Sequence, residues 1–263
     1  MTTTTVAARR TRSLPAAGGF SATFVGLELR RMLRNRRTVI FTVIVPAVLL
    51  LLFGSDSDYK TQRVGDGNVT GYIMISMAVY GAMLATTSGG AMVSIERAVG
   101  WSRQLRLTPL RPVAYVAVKL VIAMVLGAVS VAVAFTVGAA AGADLSTAVW
   151  IECGLLAWSC ALVFAAFGLF MGYLLPSENV MQILGPVLGL LSFAGGLFVP
   201  VDQMGSVFAS IAKFSPVYGV GEIARYPLTH DGSLLIAALN VAAWTSVFAA
   251  GAVWRFRRDT ARV

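Results

Sequence analysis

Charge is what this sequence has least of. Only 13% of the residues are Asp, Glu, Lys or Arg, against 57% hydrophobic, where a soluble domain carries roughly a quarter charged residues. That balance excludes an ordinary water-soluble globule and points to a hydrocarbon environment. Lysine is scarcer still, confined to Lys60, Lys119 and Lys213, which follow Tyr59, Val118 and Ala212. A phosphate-binding loop needs Gly-Lys-Ser/Thr, so the chain does not hydrolyse ATP by that route. Histidine occurs once, at His230, and cysteine twice, at Cys153 and Cys160 in one apolar run. Seven residues of helix rise about 10 Å, too far for a disulfide. One histidine with two such cysteines cannot build a common zinc site. Ionisable groups are missing from most apolar interiors, and Lys119 and Glu152 sit near run ends, where snorkelling accounts for them. That pattern gives little support to proton- or sodium-driven transport. A lipid-modifying enzyme would need a cluster of His, Asp or Glu at membrane depth, and none is visible.

What the chain does have is apolar length. A membrane helix takes roughly 20 apolar residues, and six runs are long enough, at about 38–54, 69–93, 113–142, 148–175, 180–199 and 234–254. They lack the two-residue alternation of barrel strands, so the expected fold is an all-α membrane protein with six transmembrane helices. Residues 1–19 read as a disordered cytoplasmic tail, since Pro15, Gly18 and Gly19 leave no signal-peptide core after Arg9, Arg10 and Arg12. Residues 20–263 read as a single six-span domain that starts with an interfacial helix at 20–36. A stretch at 202–228 is apolar but broken by Lys213, Ser215-Pro216, Glu222 and Arg225. Its pieces are too short to span, so it is expected as a re-entrant outer helical hairpin after Pro200.

The basic residues set the orientation. With the N-terminus inside, the inner face collects the arginines at 9, 10, 12, 30, 31, 34, 36 and 37, those at 97, 103, 106 and 111 with Lys119, and those at 255, 257, 258 and 262. Only Lys60, Arg63, Lys213 and Arg225 are left outside. The bias sets the expectation that both termini are cytoplasmic, and the excess of Arg over Lys with many Ala, Gly and Val residues suggests a bacterial plasma membrane. The formal charge of +9 is therefore topology rather than nucleic-acid binding. Four Gly-xxx-Gly pairs are about what chance gives for 26 glycines; Gly185 and Gly189, mid-span, are the best candidates for a close helix-packing interface.

The stretch Ser94–Leu110 carries more than a topology signal. At 100° per residue Ile95, Ala98, Val99, Trp101 and Leu105 share one arc, and Glu96, Arg97, Arg103 and Gln104 the other. The pattern is that of an amphipathic helix stopped by Pro109, able to dock a partner or to lie on lipid.

Three segments together resemble type-2 ABC transporter permeases. One is the basic pre-helix Glu28–Arg37 leading into Pro46 and Leu52-Phe53-Gly54. The second is Glu96-Arg97, Gly100 and Leu105-Arg106-Leu107-Thr108-Pro109-Leu110. The third is Gly195-Gly196-Leu197-Phe198-Val199-Pro200, followed by Phe214-Ser215-Pro216-Val217-Tyr218 and Arg225. The chain departs from the family at Ala98, where a second acid is usual, and at Trp101, where a threonine is usual. The resemblance is nearest to daunorubicin-resistance-like drug exporters. It implies a coupling helix formed by Glu96, Arg97, Gly100, Trp101, Leu105, Arg106 and Pro109, seated on one of two separate ATPase subunits. It also implies a second permease, identical in a homodimer, and an outer hairpin carrying Pro200, Lys213, Pro216, Glu222 and Arg225. No cofactor is expected on this chain, with ATP and Mg on the partner ATPase. The alternatives are a polysaccharide- or teichoic-acid-type exporter, or a membrane assembly or regulatory subunit that moves nothing.

Overall fold

The structure, a computed structural model, describes residues 22–100 and 112–261. The expected tail at 1–19 and the loop residues 101–111 lie outside the described residues. The protein is almost entirely helical. Helix α1 (Ala22–Leu33) is followed by α2 (Arg36–Val39), a π-helical turn (Ile40–Ile44) and α3 (Val45–Gly54). A short α4 (Ser57–Thr61) and a hairpin of β1 (Arg63–Val64) and β2 (Gly67–Asn68) lead into α5 (Val69–Ala98). Then come α6 (Pro112–Ala141), α7 (Thr147–Cys160), α8 (Leu162–Leu174), α9 (Ser177–Ala194), α10 (Ser206–Ala212), α11 (Pro216–Thr229) and α12 (Leu234–Ala261). Four helices are long and apolar enough to cross a membrane: Val69–Ala98, Val113–Ala141, Thr147–Leu174 and Leu234–Arg258. The third is α7 and α8 in line, interrupted only at Ala161. Two of the six expected runs fall short of that standard. The first forms a shorter apolar helix, Ile40–Gly54, and α9 opens with Glu178, Asn179 and Gln182, which dilute its 18 residues.

Helix α5 is the core. It carries no charge from Val69 to Ile95, and neighbours cover nearly all of it, whereas α12 turns most of its surface outward. Such burial in an apolar bundle relies on close backbone approach at small residues. A Cβ on Gly90 would stand 2.6 Å from both the Ala165 carbonyl oxygen and the Leu169 amide nitrogen, and one on Gly168 2.2 Å from the Thr87 carbonyl oxygen. Helices α5 and α8 therefore cross backbone to backbone. Gly185 and Gly189, the pair singled out from the sequence, have nothing within 4 Å of a Cβ. Among the described residues, no other helix comes within 4 Å of where those Cβ atoms would stand.

Helix α3 joins the core through a proline. Pro46 has no N–H for the Thr42 carbonyl one turn back, and that carbonyl accepts instead from Ser130 Oγ on α6 at 2.6 Å. A Cβ on Gly81 of α5 would touch both Ser130 and Pro46, so α3, α5 and α6 meet at one point.

At the hairpin end, Asn68 is 1% exposed and holds three segments. Its Oδ1 caps α5 by accepting from the Gly71 amide at 2.9 Å and also accepts from the Asp144 amide at 3.1 Å. Its Nδ2 donates to the carbonyls of Lys60 and Gly142. Losing a cap costs about 1 kcal/mol, and each buried group left unpaired costs about 1–3 kcal/mol more. Asn68→Ala is expected to lower the thermal unfolding midpoint in detergent, and Asn68→Asp at least as much, since its second carboxylate oxygen would face the carbonyls of Lys60 and Gly142 in a buried site.

Candidate functional site

Two buried charge clusters lie toward opposite ends of α5. The one near loop 101–111 is built from three helices. Helix α1 is amphipathic, and its buried face carries Glu28 and Met32, packed through Val25 and Leu29 onto Met92, Val118, Ile122 and Leu126. Glu96 lies in the last turn of α5. Lys119 lies two turns into α6. Lys119 Nζ is 2.9 Å from Glu28 Oε2 and 2.5 Å from Glu96 Oε1. Tyr115 donates its hydroxyl to Glu96 Oε2, and Lys119 lies over the Tyr115 ring. Arg31, half-exposed, reaches both carboxylates at 3.4 and 3.5 Å. Two carboxylates thus face two cations.

This corrects the sequence reading twice. Lys119 does not snorkel; it is 2% exposed and is the largest fully buried side chain described. Glu96 does not sit on the solvated arc of a separate loop helix. Residues 94–98 continue α5, which leaves the helix at Gly100 with a φ of +73°, and Glu96 is 1% exposed. Burying a single ion costs several kcal/mol unless partners surround it. Here each acid meets Lys119, so all three can be buried together.

Arg97, the next residue, points elsewhere. It donates to the carbonyls of Gly172 and Tyr173 at 3.2 and 3.1 Å and lies over the Tyr173 ring. A cation there meets the negative end of α8. Trp101, Leu105, Arg106 and Pro109 lie outside the described residues.

The second cluster is near the hairpin end. Arg225 on α11 is 3% exposed. It donates to the Gly196 carbonyl at 3.0 Å and to Ser76 Oγ on α5 at 3.3 Å, and pairs with Glu222 at 3.2 Å. Its guanidinium lies over the Tyr72 ring. Pro200 opens a single turn, Val201–Gln203. Pro216 starts α11 behind a Ser215 cap. Lys213 is exposed, and its carbonyl accepts from Asn240 on α12. Arg225 and Glu222 come together; Lys213 stands apart from them.

Ser76 and Glu96 are twenty residues apart on α5, a rise of about 30 Å, which is the thickness of a bilayer's hydrocarbon core. The clusters therefore bracket one apolar slab. Sequence reasoning missed Glu28 and Lys119 as partners. The available signal was one lysine inside an apolar run, with a lone acid beside each of the two preceding runs. Among the described residues, no group of three His, Cys, Asp or Glu could hold a metal ion. Lys119→Met leaves two buried carboxylates with only the half-exposed Arg31 and the Tyr115 hydroxyl and is expected to cost about 3–5 kcal/mol, read as a lower melting temperature and reduced yield in membranes. Lys60→Met, on an exposed residue, should change neither.

The family model for "ABC-2 type transporter" matches residues 22–228, a span that holds α1, both clusters, α10 and nearly all of α11. The chain is also 31% identical over 211 residues to "Putative transport permease YvfS" of Bacillus subtilis (strain 168), covering 78% of this chain and 84% of that one. With four helices apolar enough to cross a membrane and a family match over most of its length, this multi-pass membrane protein belongs to the ABC-2 type transporter family.

Proposed function

We propose that this chain is the transmembrane subunit of an ATP-driven exporter that moves a hydrophobic or amphipathic small molecule out of a bacterial cell. The observation that carries this reading is the family match across both the loop after α5 and most of the segment before α12, in a sequence without a nucleotide-binding loop. Energy then comes from separate ATP-binding subunits, two per complex, which hold ATP and Mg and contact the loop after Glu96. Family membership implies such an ATPase.

Six spans fit the chain if α2–α3 and α9 cross as shorter members. Helices α10 and α11 then form a hairpin in the outer leaflet that lids the path, tied to α5 by Arg225. Both termini lie in the cytoplasm under this arrangement, by the arginine bias. The bare face of α9 around Gly185 and Gly189, open in the single chain, fits a second copy of the permease. A small amphipathic cargo is favoured over a polysaccharide by the resemblance to drug-exporter permeases and by the short outer segments.

The test is co-purification with the cognate ATP-binding subunit, then ATP hydrolysis in vesicles against a panel of amphipathic dyes and drugs. Stimulation by members of the panel is expected; a chain that binds no ATPase would overturn the reading. Topology is checked separately. In a cysteine-free background, Asp58→Cys and Asp231→Cys should label from outside intact cells and Asp259→Cys should not. For the loop, Leu105→Asp with Trp101→Ala should abolish ATPase binding while the chain still reaches the membrane.

A further inference from the structure

Glu96 and Arg97 are adjacent, carry opposite charges, and lie in the last turn of α5 before loop 101–111. Neighbouring helix residues point about 100° apart, so their side chains leave α5 in different directions. Glu96 reaches Lys119 on α6, which reaches Glu28 on α1. Arg97 reaches the last carbonyls of α8. There Tyr173 meets Phe256 of α12 edge to face at 5.6 Å.

We propose that the Glu96–Arg97 turn is a two-armed transmission joint, with Glu96, Lys119 and Glu28 positioning α1, and Arg97 positioning α8 and through it α12. The inference rests on reading loop 101–111 as the ATPase contact. Loop 101–111 joins α5 to α6, and a displacement carried into α5 meets the joint, which divides it. Both arms are packed against their neighbours. Met32, Met92, Val118 and Ile122 pack around the first. In the second, a Cβ on Gly172 would stand 3.2 Å from Ala91 of α5, so α8 and α5 lie backbone against backbone. Packing alone would hold these helices at lower cost, because replacing a buried ion pair with apolar residues is often neutral or stabilising. Ionic arms add direction, and they add an alternative partner. Arg31 already lies within 3.5 Å of both carboxylates, placed to take over as Lys119 is drawn away. A cluster with two cations competing for two acids has discrete arrangements, as a switching element requires.

The test uses the full chain with its ATP-binding subunit in lipid vesicles, with Cys153 and Cys160 replaced by alanine. An environment-sensitive fluorophore is placed on Arg30→Cys of α1 or on Val253→Cys of α12, both exposed positions. ATP with vanadate should change both signals in the parent protein. Glu96→Gln, which leaves the Lys119–Glu28 pair intact, should silence the α1 reporter and spare the α12 reporter. Arg97→Gln should do the reverse. If Glu96→Gln does not assemble, Glu28→Gln interrupts the same arm and must give the same selective loss. A merely structural cluster would weaken both reporters together, or neither, and either result in an assembled complex overturns the joint. If the parent protein binds the ATPase and neither reporter responds, the joint is overturned while the permease reading stands. If the parent binds no ATPase, the permease reading falls and the joint falls with it.

Discussion

The crossing of α5 and α8, glycine against backbone at Gly90 and Gly168, sets the distances at which the other helices pack. Inside a bilayer, lipid tails are as apolar as leucine, so no hydrophobic force draws helices together. Close contact has to supply dispersion energy, and side-chain volume opposes it. Removing the Cβ at both partners lets two backbones meet, and long stretches of α5 can then be covered on every side. From that follows the lack of charge between Val69 and Ile95, because a helix with no lipid- or water-facing side has nowhere to put an ion. Pro46 fits the same scheme: the hydrogen bond it forfeits is made good by Ser130, and Gly81 gives both room.

Charge returns only where it can be matched. Near one end of α5, Lys119 lies between two acids; near the other, Arg225 lies against Glu222, two oxygen acceptors and an aromatic ring. The exposed pairs are different in kind. Arg63–Asp144 is short at 2.9 Å but lies in water, with both side chains more than half exposed, and such pairs contribute about 0–1 kcal/mol. Burial, not proximity, separates the clusters that organise the bundle from those that decorate it.

Much of this was legible in the sequence, and the gaps have physical causes. Apolar length gave the helical class and located α5, α6, the joined α7–α8 and α12 within a few residues. Ser215-Pro216 marked the start of α11, because proline at the first helical position needs no donor. The end of α5 was misplaced because an acid and an arginine after an apolar run look like a solvated loop. Only tertiary partners, Lys119 for Glu96 and the end of α8 for Arg97, turn them into helix that is buried at Glu96 and half-buried at Arg97. The charge of Lys119 was read by its position in its own run, and the two acids that neutralise it come from segments 91 and 23 residues away. The glycine pair Gly185/Gly189 was favoured for its mid-span position. Position along a helix says nothing about which face meets a neighbour, and the close crossing fell to Gly90, Gly168 and Gly172.

The burial of Lys119 has a practical consequence for chemical probing. Of the three lysine side chains in the sequence, one is sealed inside the bundle, and the other two, Lys60 and Lys213, are exposed on the hairpin half of the fold. A reagent that acylates or cross-links lysine amines therefore finds exposed lysine targets on one half of this protein and none at the Glu96–Arg97 end, where Lys119 is sealed and the exposed cation of the cluster is the Arg31 guanidinium. Mass-spectrometric cross-linking through lysines would report a false silence there. Arginine- or carboxylate-directed chemistry is what that end of the molecule can answer.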